Sequence, residues 1–296
     1  MRLSITSTLL GPGTSVPPGE NLSHCLKLCR EAGFRYVDLD FGALVRPGFP
    51  LSGEDWEEQT ERIGRQGEEL GLSFDQSHAF VYRTREWTDP AVDRGLYGDR
   101  IRRSILAAAR LKVRWLVFHT ADLDAPPDDG FEKTRAFNLE YWQPFVGLAV
   151  RHGVGIAFEN LFMSGRHPRY GMTAEDLIDL VDTIGDPLVG VCWDTGHAHV
   201  AGQDQPASIR LLGPRLKALH VHDNHGRPKA DEHLSPYRGT IVWPPILKAL
   251  RETGYSGNFS LELKRATAEL PDALCGDMLR FLHRLGRYMI EQAEAG

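Results

Sequence analysis

Cysteine is scarce, with four in 296 residues. No Cys-x-x-Cys pair occurs, which removes the usual signature of a structural zinc site. Cys25 and Cys29 stand four apart on one face of an expected helix, and Cys192 and Cys275 fall in an expected strand and helix, where packing accounts for them. Positive charge is also short: 34 Lys and Arg stand against 40 Asp and Glu, the net charge is −6 and the pI is near 6.1. No global basic field is available to hold nucleic acid. The longest apolar runs are strand-sized, too short for a membrane-spanning helix. No charged-then-apolar leader precedes the strand-like start Met1–Ile5, so a cytoplasmic location is expected. No Gly-x-Gly-x-x-Gly follows the first strand, which argues against a dinucleotide-binding, doubly wound sheet.

What is present is a strand-then-helix rhythm over the whole chain, with 42% hydrophobic residues to fill a core. Strands are expected at Leu3–Thr6, Tyr36–Leu39, Ser73–Ser77, Trp115–His119, Gly155–Glu159, Val189–Asp194, Leu216–Val221 and Asn258–Leu263. Helical patterns fill the gaps at Asn21–Ala32, Trp56–Leu70, Tyr97–Leu111, Thr134–His152, Thr173–Ile184, Ala207–Leu212, Pro244–Gly254 and Asp272–Ala293. Gly33, Gly71 and Gly254 stand where helices should stop. Eight strands, each followed by a helix, predict an α/β chain folded as a (β/α)8 barrel, one domain over residues 1–296. The longest irregular stretches, Ala79–Leu96, Ala121–Glu132, Leu161–Met172 and His222–Val242, all follow strands. They should crowd one face and build a pocket and a lid.

The ends of the later strands carry the chemistry. In order they offer His78, His119, Glu159, Asp194 with His197, His220 with His222, and Glu262; the loop after the seventh adds Asp231 and His233. Each has a bland explanation alone. A single strand-end histidine is more often a hydrogen-bonded core residue, Asp194 could cap a turn, and Glu159 or Glu262 could pair with a loop arginine. His220 and His222 alternate, so only one should face the barrel axis. His152, His199 and His225 fit no strand-end position and read as structural or solvated. Trp193 and Phe158 should point away from the axis and pack, while nothing fixes where Tyr82, Trp87 and Trp142 point. The set is another matter. Acid or imidazole at six consecutive strand ends would be costly if buried unpaired, and a divalent cation removes that cost.

These segments resemble the xylose isomerase-like barrel superfamily, which includes sugar isomerases and epimerases and the endonuclease IV type of apurinic-site nuclease. The matching pieces are Phe158-Glu159-Asn160, Trp193-Asp194-Thr195-Gly196-His197, His220-Val221-His222-Asp223-Asn224, Asp231-Glu232-His233, Gly239-Thr240-Ile241 with Trp243, and Glu262. By resemblance to the ketose epimerases, Glu159, Asp194, His220 and Glu262 would hold one divalent ion (Zn, Mn, Co or Mg). Glu159 and Glu262 would also move the proton through an enediolate of a small carbohydrate or its phosphate. His197 and His233 would contact substrate hydroxyls. Lys264, two residues past Glu262, could meet an anionic group. The family's arginine six residues after the histidine ligand is not matched, since position 226 is Gly and Arg227 follows.

The resemblance also implies an alternative. The nuclease type adds ligands that match His78, His119, His197, Asp231 and His233, giving up to three zinc ions and hydrolysis of a phosphodiester. Its neighbouring sequence differs, with His119-Thr120-Ala121 for His-Pro-Gly and His220-Val221-His222-Asp223 for His-Leu-Asn-Asp. It would need a basic rim, for which Arg83, Arg85, Arg166 and Arg169 are the candidates. A third reading, a sugar or metal sensor, finds no signalling segment to support it. Barrels of this type often pair into homo-oligomers, but no exposed apolar stripe marks an interface.

Overall fold

Eight short apolar runs pair in parallel and in chain order, and the last closes on the first. The computed structural model describes residues 1–10, 16, 18–124, 127–163, 165–264 and 266–295. Its strands are β1 Arg2–Thr6, β2 Tyr36–Asp40, β3 Gln76–His78, β4 Trp115–His119, β5 Gly155–Glu159, β6 Val189–Asp194, β7 Leu216–Val221 and β8 Asn258–Leu261. The helices are α1 Asn21–Glu31, α2 Phe41–Leu44, α3 Trp56–Leu70, α4 Arg94–Arg110, α5 Pro127–Arg151, α6 Ala174–Ile184, α7 Thr195–Val200, α8 Gln205–Leu212, α9 Trp243–Glu252 and α10 Asp272–Ala295. The expected (β/α)8 barrel is therefore the observed fold. No described helix is long and apolar enough to cross a membrane.

Local chemistry explains the departures from the sequence reading. Ser73 makes only an isolated bridge to Tyr36, so β3 starts three residues later than expected. Two short helices were not foreseen. The Asp40 side chain accepts the Ala43 N–H and starts α2, and the Asp194 side chain accepts the His197 N–H and starts α7. Aspartate at such a junction satisfies an N–H that the helix leaves unpaired. Two expected loops shorten, because α4 begins at Arg94 and α5 at Pro127; positions 125 and 126 of the second, and 164 of the expected loop Leu161–Met172, lie outside the described residues.

Strand parity builds the site. Val117, Ala157, Cys192 and Ala218 form a small buried apolar layer inside the barrel. Two residues further along the same strands stand His119, Glu159, Asp194 and His220. Side chains two apart share a face of a strand, so the apolar layer is a floor and the next inward layer is polar. Phe118, Phe158 and Trp193 point the other way and are fully buried against the helices. Trp87 stacks on Tyr82 at 4.0 Å, and Trp142 meets Phe118 edge-on at 5.2 Å. All three aromatic side chains whose direction the sequence left open are thus packing residues.

Candidate metal centre

Glu159, Asp194, His220 and Glu262 each present a ligand atom within 4.8 Å of one another, and all four are buried. Specific side-chain bonds hold them there. Asn160 clamps β6, its Oδ1 accepting from the Asp194 N–H at 2.6 Å and its Nδ2 donating to the Asp194 carbonyl at 2.9 Å. His220 Nδ1 lies 2.9 Å from Glu159 Oε1. Glu262 sits just past β8 with Lys264 Nζ 3.1 Å from its Oε1.

The surrounding histidines are set in one tautomer by backbone carbonyls. Nδ1 of His78 donates to Ala79 O at 2.9 Å, Nδ1 of His197 to Asn160 O at 3.0 Å, and Nδ1 of His233 to Glu262 O at 2.8 Å. A carbonyl only accepts, so in each neutral ring the lone pair is left on Nε2. Those Nε2 atoms face inward. His78 Nε2 is 3.2 Å from His119 Nε2, and the two lie 3.4 and 2.9 Å from Glu159 Oε2. On the other side, Asp231 Oδ2 sits between His197 Nε2 at 3.4 Å and His233 Nε2 at 2.8 Å. All nine residues singled out as ligand types therefore converge on one patch of the barrel mouth.

His222 was not foreseen in the site. Strand alternation placed only one of His220 and His222 on the axis, but β7 ends at Val221 and the pleat ends with it. His222 Nε2 reaches Asp194 at 3.0 Å and Asp231 at 3.7 Å. Its neighbour Asp223 organises the long loop that follows. The buried carboxylate accepts from the N–H groups of Asn224, Tyr237 and Ile241 and from Trp243 Nε1. Gly239 is required here, because a Cβ would lie 2.3 Å from Asp223 Oδ1. Arg169 also departs from expectation. It is buried, donating to Thr120 O at 2.7 Å and standing 3.7 Å from Asp122, so it does not belong to an exposed basic rim. Arg166 pairs with Asp124, while Arg83 and Arg85 are exposed. His225 pairs with Glu232 and His199 bonds Thr240.

The donor set fits a divalent cation. Imidazole and carboxylate together suit Zn, Mn and Co, with Mg favouring the oxygens. Glu262 Oε2 and Asp231 Oδ1 are buried without a hydrogen-bond partner, and Glu159 Oε2 makes no well-aligned one despite the nearby His119 nitrogen. Buried carboxylate oxygens are rarely left so. Without a cation, imidazolium must supply the countercharge. Burial alone would raise Glu159, but His220 and His119 hold it well below the usual carboxylate range. Burial would likewise raise Glu262, and Lys264 and His220 hold it down. Burial pushes His119 down to about 4, so at ordinary pH it is neutral and the countercharge beside Glu159 is that of His220, which despite its burial its carboxylate neighbours hold well above the usual imidazole range.

His197 carries a pH consequence. Burial lowers its pKa, but Asp194, Asp231 and Glu159 overcome that and hold it up to about 10. The folded value lies above the unfolded one, near 6.5. The stabilisation is complete below about 6.5 and is lost as pH rises through about 10. The melting temperature of metal-free protein should therefore fall over that window. Affinity for a divalent metal should rise over the same window, because the metal takes neutral imidazoles. A metal-free melting temperature that stays flat from pH 6.5 to 10 would contradict the imidazolium pairing.

A cavity of about 580 Å³ opens beside the cluster. His78, His119 and Lys264 reach it from the centre, and Ser7, Asp40 and Phe49 are among its outer lining.

Comparison with known proteins gives the fold its context. A family model described as xylose isomerase-like TIM barrel matches residues 26–285. An uncharacterized protein of Methanocaldococcus jannaschii is 33% identical over 129 residues, 43% of each chain. One from Sinorhizobium fredii is 26% identical over 276 residues, 82% of this chain and 81% of that one. The D-psicose 3-epimerase of Enterocloster bolteae is 33% identical over 90 residues, 30% of this chain and 28% of its own. Among solved structures, IolI protein with a bound zinc atom superposes with a TM-score of 0.76 at 18% identity, covering 99% of both chains.

Proposed function

The chain belongs to the xylose isomerase-like TIM barrel family, and from that premise we propose that it is a divalent-metal-dependent isomerase or epimerase of a small sugar or sugar phosphate. The observation that carries this reading is the pairing of two buried glutamates from β5 and the end of β8 with Asp194 and His220 in one cluster. Relatives named D-psicose 3-epimerase and inosose isomerase support the reaction class.

Glu159, Asp194, His220 and Glu262 would hold one divalent ion, of Zn, Mn, Co or Mg type, and when bound it would polarise a substrate carbonyl as a Lewis acid. The proton work falls to the glutamates. One takes the proton from the carbon next to the carbonyl, leaving an enediolate, and the other returns a proton. Glu262 Oε2, buried and without a hydrogen-bond partner, is the freer base; Glu159 is flanked by His220, His119 and His78. Lys264 keeps Glu262 ionised and offers a cation to an anionic substituent. His197 and His233, with Nδ1 tied to carbonyls, would present Nε2 to substrate hydroxyls. Arg227 pairs with Glu232 at 2.7 Å and does not stand in for the missing family arginine. Four free, buried thiols suit a reducing cytoplasmic setting.

One observation favours a second reading, zinc-dependent phosphodiester hydrolysis of the endonuclease IV type. His78, His119 and Glu159 form one further convergence of donor atoms, and His197, Asp231 and His233 form another. His119→Ala separates the two. A single-ion isomerase should keep its metal and change activity only a few-fold. A multi-ion hydrolase should lose one zinc equivalent and most phosphodiesterase activity. The isomerase itself is tested by NMR of ketoses incubated in D2O with metal present. Deuterium at the carbon next to the carbonyl supports the proposal, and its absence across free and phosphorylated ketoses rejects it.

A further inference from the structure

Beneath the cluster lies a carboxylate that the proton chemistry leaves unused. Asp38 on β2 is 2% exposed, and three donors converge on its Oδ2. They are Gln76 Nε2 from β3 at 2.7 Å, Ser260 Oγ from β8 at 2.9 Å and His220 Nε2 from β7 at 3.3 Å. Gln76 is itself held across the barrel, its Nε2 donating to Leu219 O at 3.0 Å. A carboxylate placed this deep is costly unless it is well bonded, so this belt of β2, β3, β7 and β8 calls for a use.

We propose that Asp38 is a positioning residue that orients His220, accepting the hydrogen bond from its Nε2–H so that Nδ1 is the nitrogen left to serve a metal at the centre. Without a metal both ring nitrogens donate to carboxylates, and it is the Nδ1 proton that a bound ion would replace. Nε2 faces Asp38 on the floor side, whereas Nδ1 faces Glu159 Oε1 at 2.9 Å among the ligand atoms. Gln76 and Ser260 donate to the same Oδ2 and keep the carboxylate from rotating. A carboxylate behind a metal-bound imidazole sets its tautomer and raises its basicity. The same belt explains why polar Gln76 and Ser260 occur inside the barrel at all. Asp38, two residues before the strand-end Asp40, shares its inward parity but sits one layer too deep to touch substrate.

This inference rests on the metal reading, so the test has two parts. Co(II) alone is titrated into metal-free wild type, Asp38→Asn and Asp38→Ala, following affinity and the visible absorption of the bound ion. Asp38→Ala should bind about 10–100-fold more weakly with an altered spectrum. Asp38→Asn, whose carbonyl still accepts from Nε2, should recover part of the loss and decides the matter if the alanine variant does not fold. Unchanged affinity and spectrum in both variants would overturn the proposal. In parallel, ¹⁵N NMR of the histidine rings reads the His220 Nε2 proton directly in the metal-free protein. A slowly exchanging Nε2–H lost in Asp38→Ala supports the positioning role even if wild type takes up no Co(II), an outcome that would reject only the metal reading. A signal unchanged in Asp38→Ala overturns the role.

Discussion

Glu262→Gln should lower turnover by about 10²–10⁴-fold, the usual contribution of a positioned acid or base. The fold should survive. The substitution keeps the shape of the side chain and removes a buried charge next to Lys264 and His233 rather than any apolar packing. The amide cannot accept a proton from carbon, so exchange of deuterium into a ketose should fall with turnover. The measurement is made at saturating metal, because a ligand is weakened as well, and metal content and melting temperature are followed beside activity. Retained exchange with metal bound would remove Glu262 from the proton path and leave it a ligand only.

Gly196→Ala should damage the site from behind. A Cβ there would lie 1.9 Å from Cε1 and 2.3 Å from Nδ1 of His222. That ring has no free direction. It is fully buried, bonds Asp194 through Nε2 at 3.0 Å and stacks on His233 at 4.2 Å. The added methyl must push it into His233 or off Asp194. Overpacking of this kind costs about 1–3 kcal/mol, and the displaced ring should weaken metal binding as well. Denaturant melts with and without metal read both effects. A melt and a metal affinity matching wild type would mean that the helix after β6 yields more easily than its packing implies.

The barrel was legible because a strand-sized hydrophobic run followed by a helical pattern recurs eight times, with Gly33, Gly71 and Gly254 marking helix stops, and no tertiary information was needed to count them. The inward layer was legible for the same reason: His119, Glu159, Asp194 and His220 share the parity of an apolar strand layer. Other features depended on what happens after a strand ends. His222 broke the alternation rule because β7 stops one residue before it. The helices at Phe41 and Thr195 are capped by Asp40 and Asp194, and an aspartate at a strand end reads equally as ligand or cap. Arg169 looked like a surface cation because its loop is polar, yet the carbonyl of Thr120 and the carboxylate of Asp122 draw it inside. Asp38 gave no signal of its own. Its role appears only when β2, β3, β7 and β8 are brought round one axis, and the sequence spacing from Asp38 to Ser260 hides that.

The central claim is that the buried cluster of Glu159, Asp194, His220 and Glu262 binds a divalent metal for proton transfer on a sugar carbonyl. Elemental analysis of protein purified without chelator, with Glu159→Ala alongside, tests it most directly. About one equivalent of divalent metal per chain in the wild type, lost in the variant, is the predicted result. A chain that carries no metal and takes up none when Zn, Mn, Co or Mg is added would contradict the account.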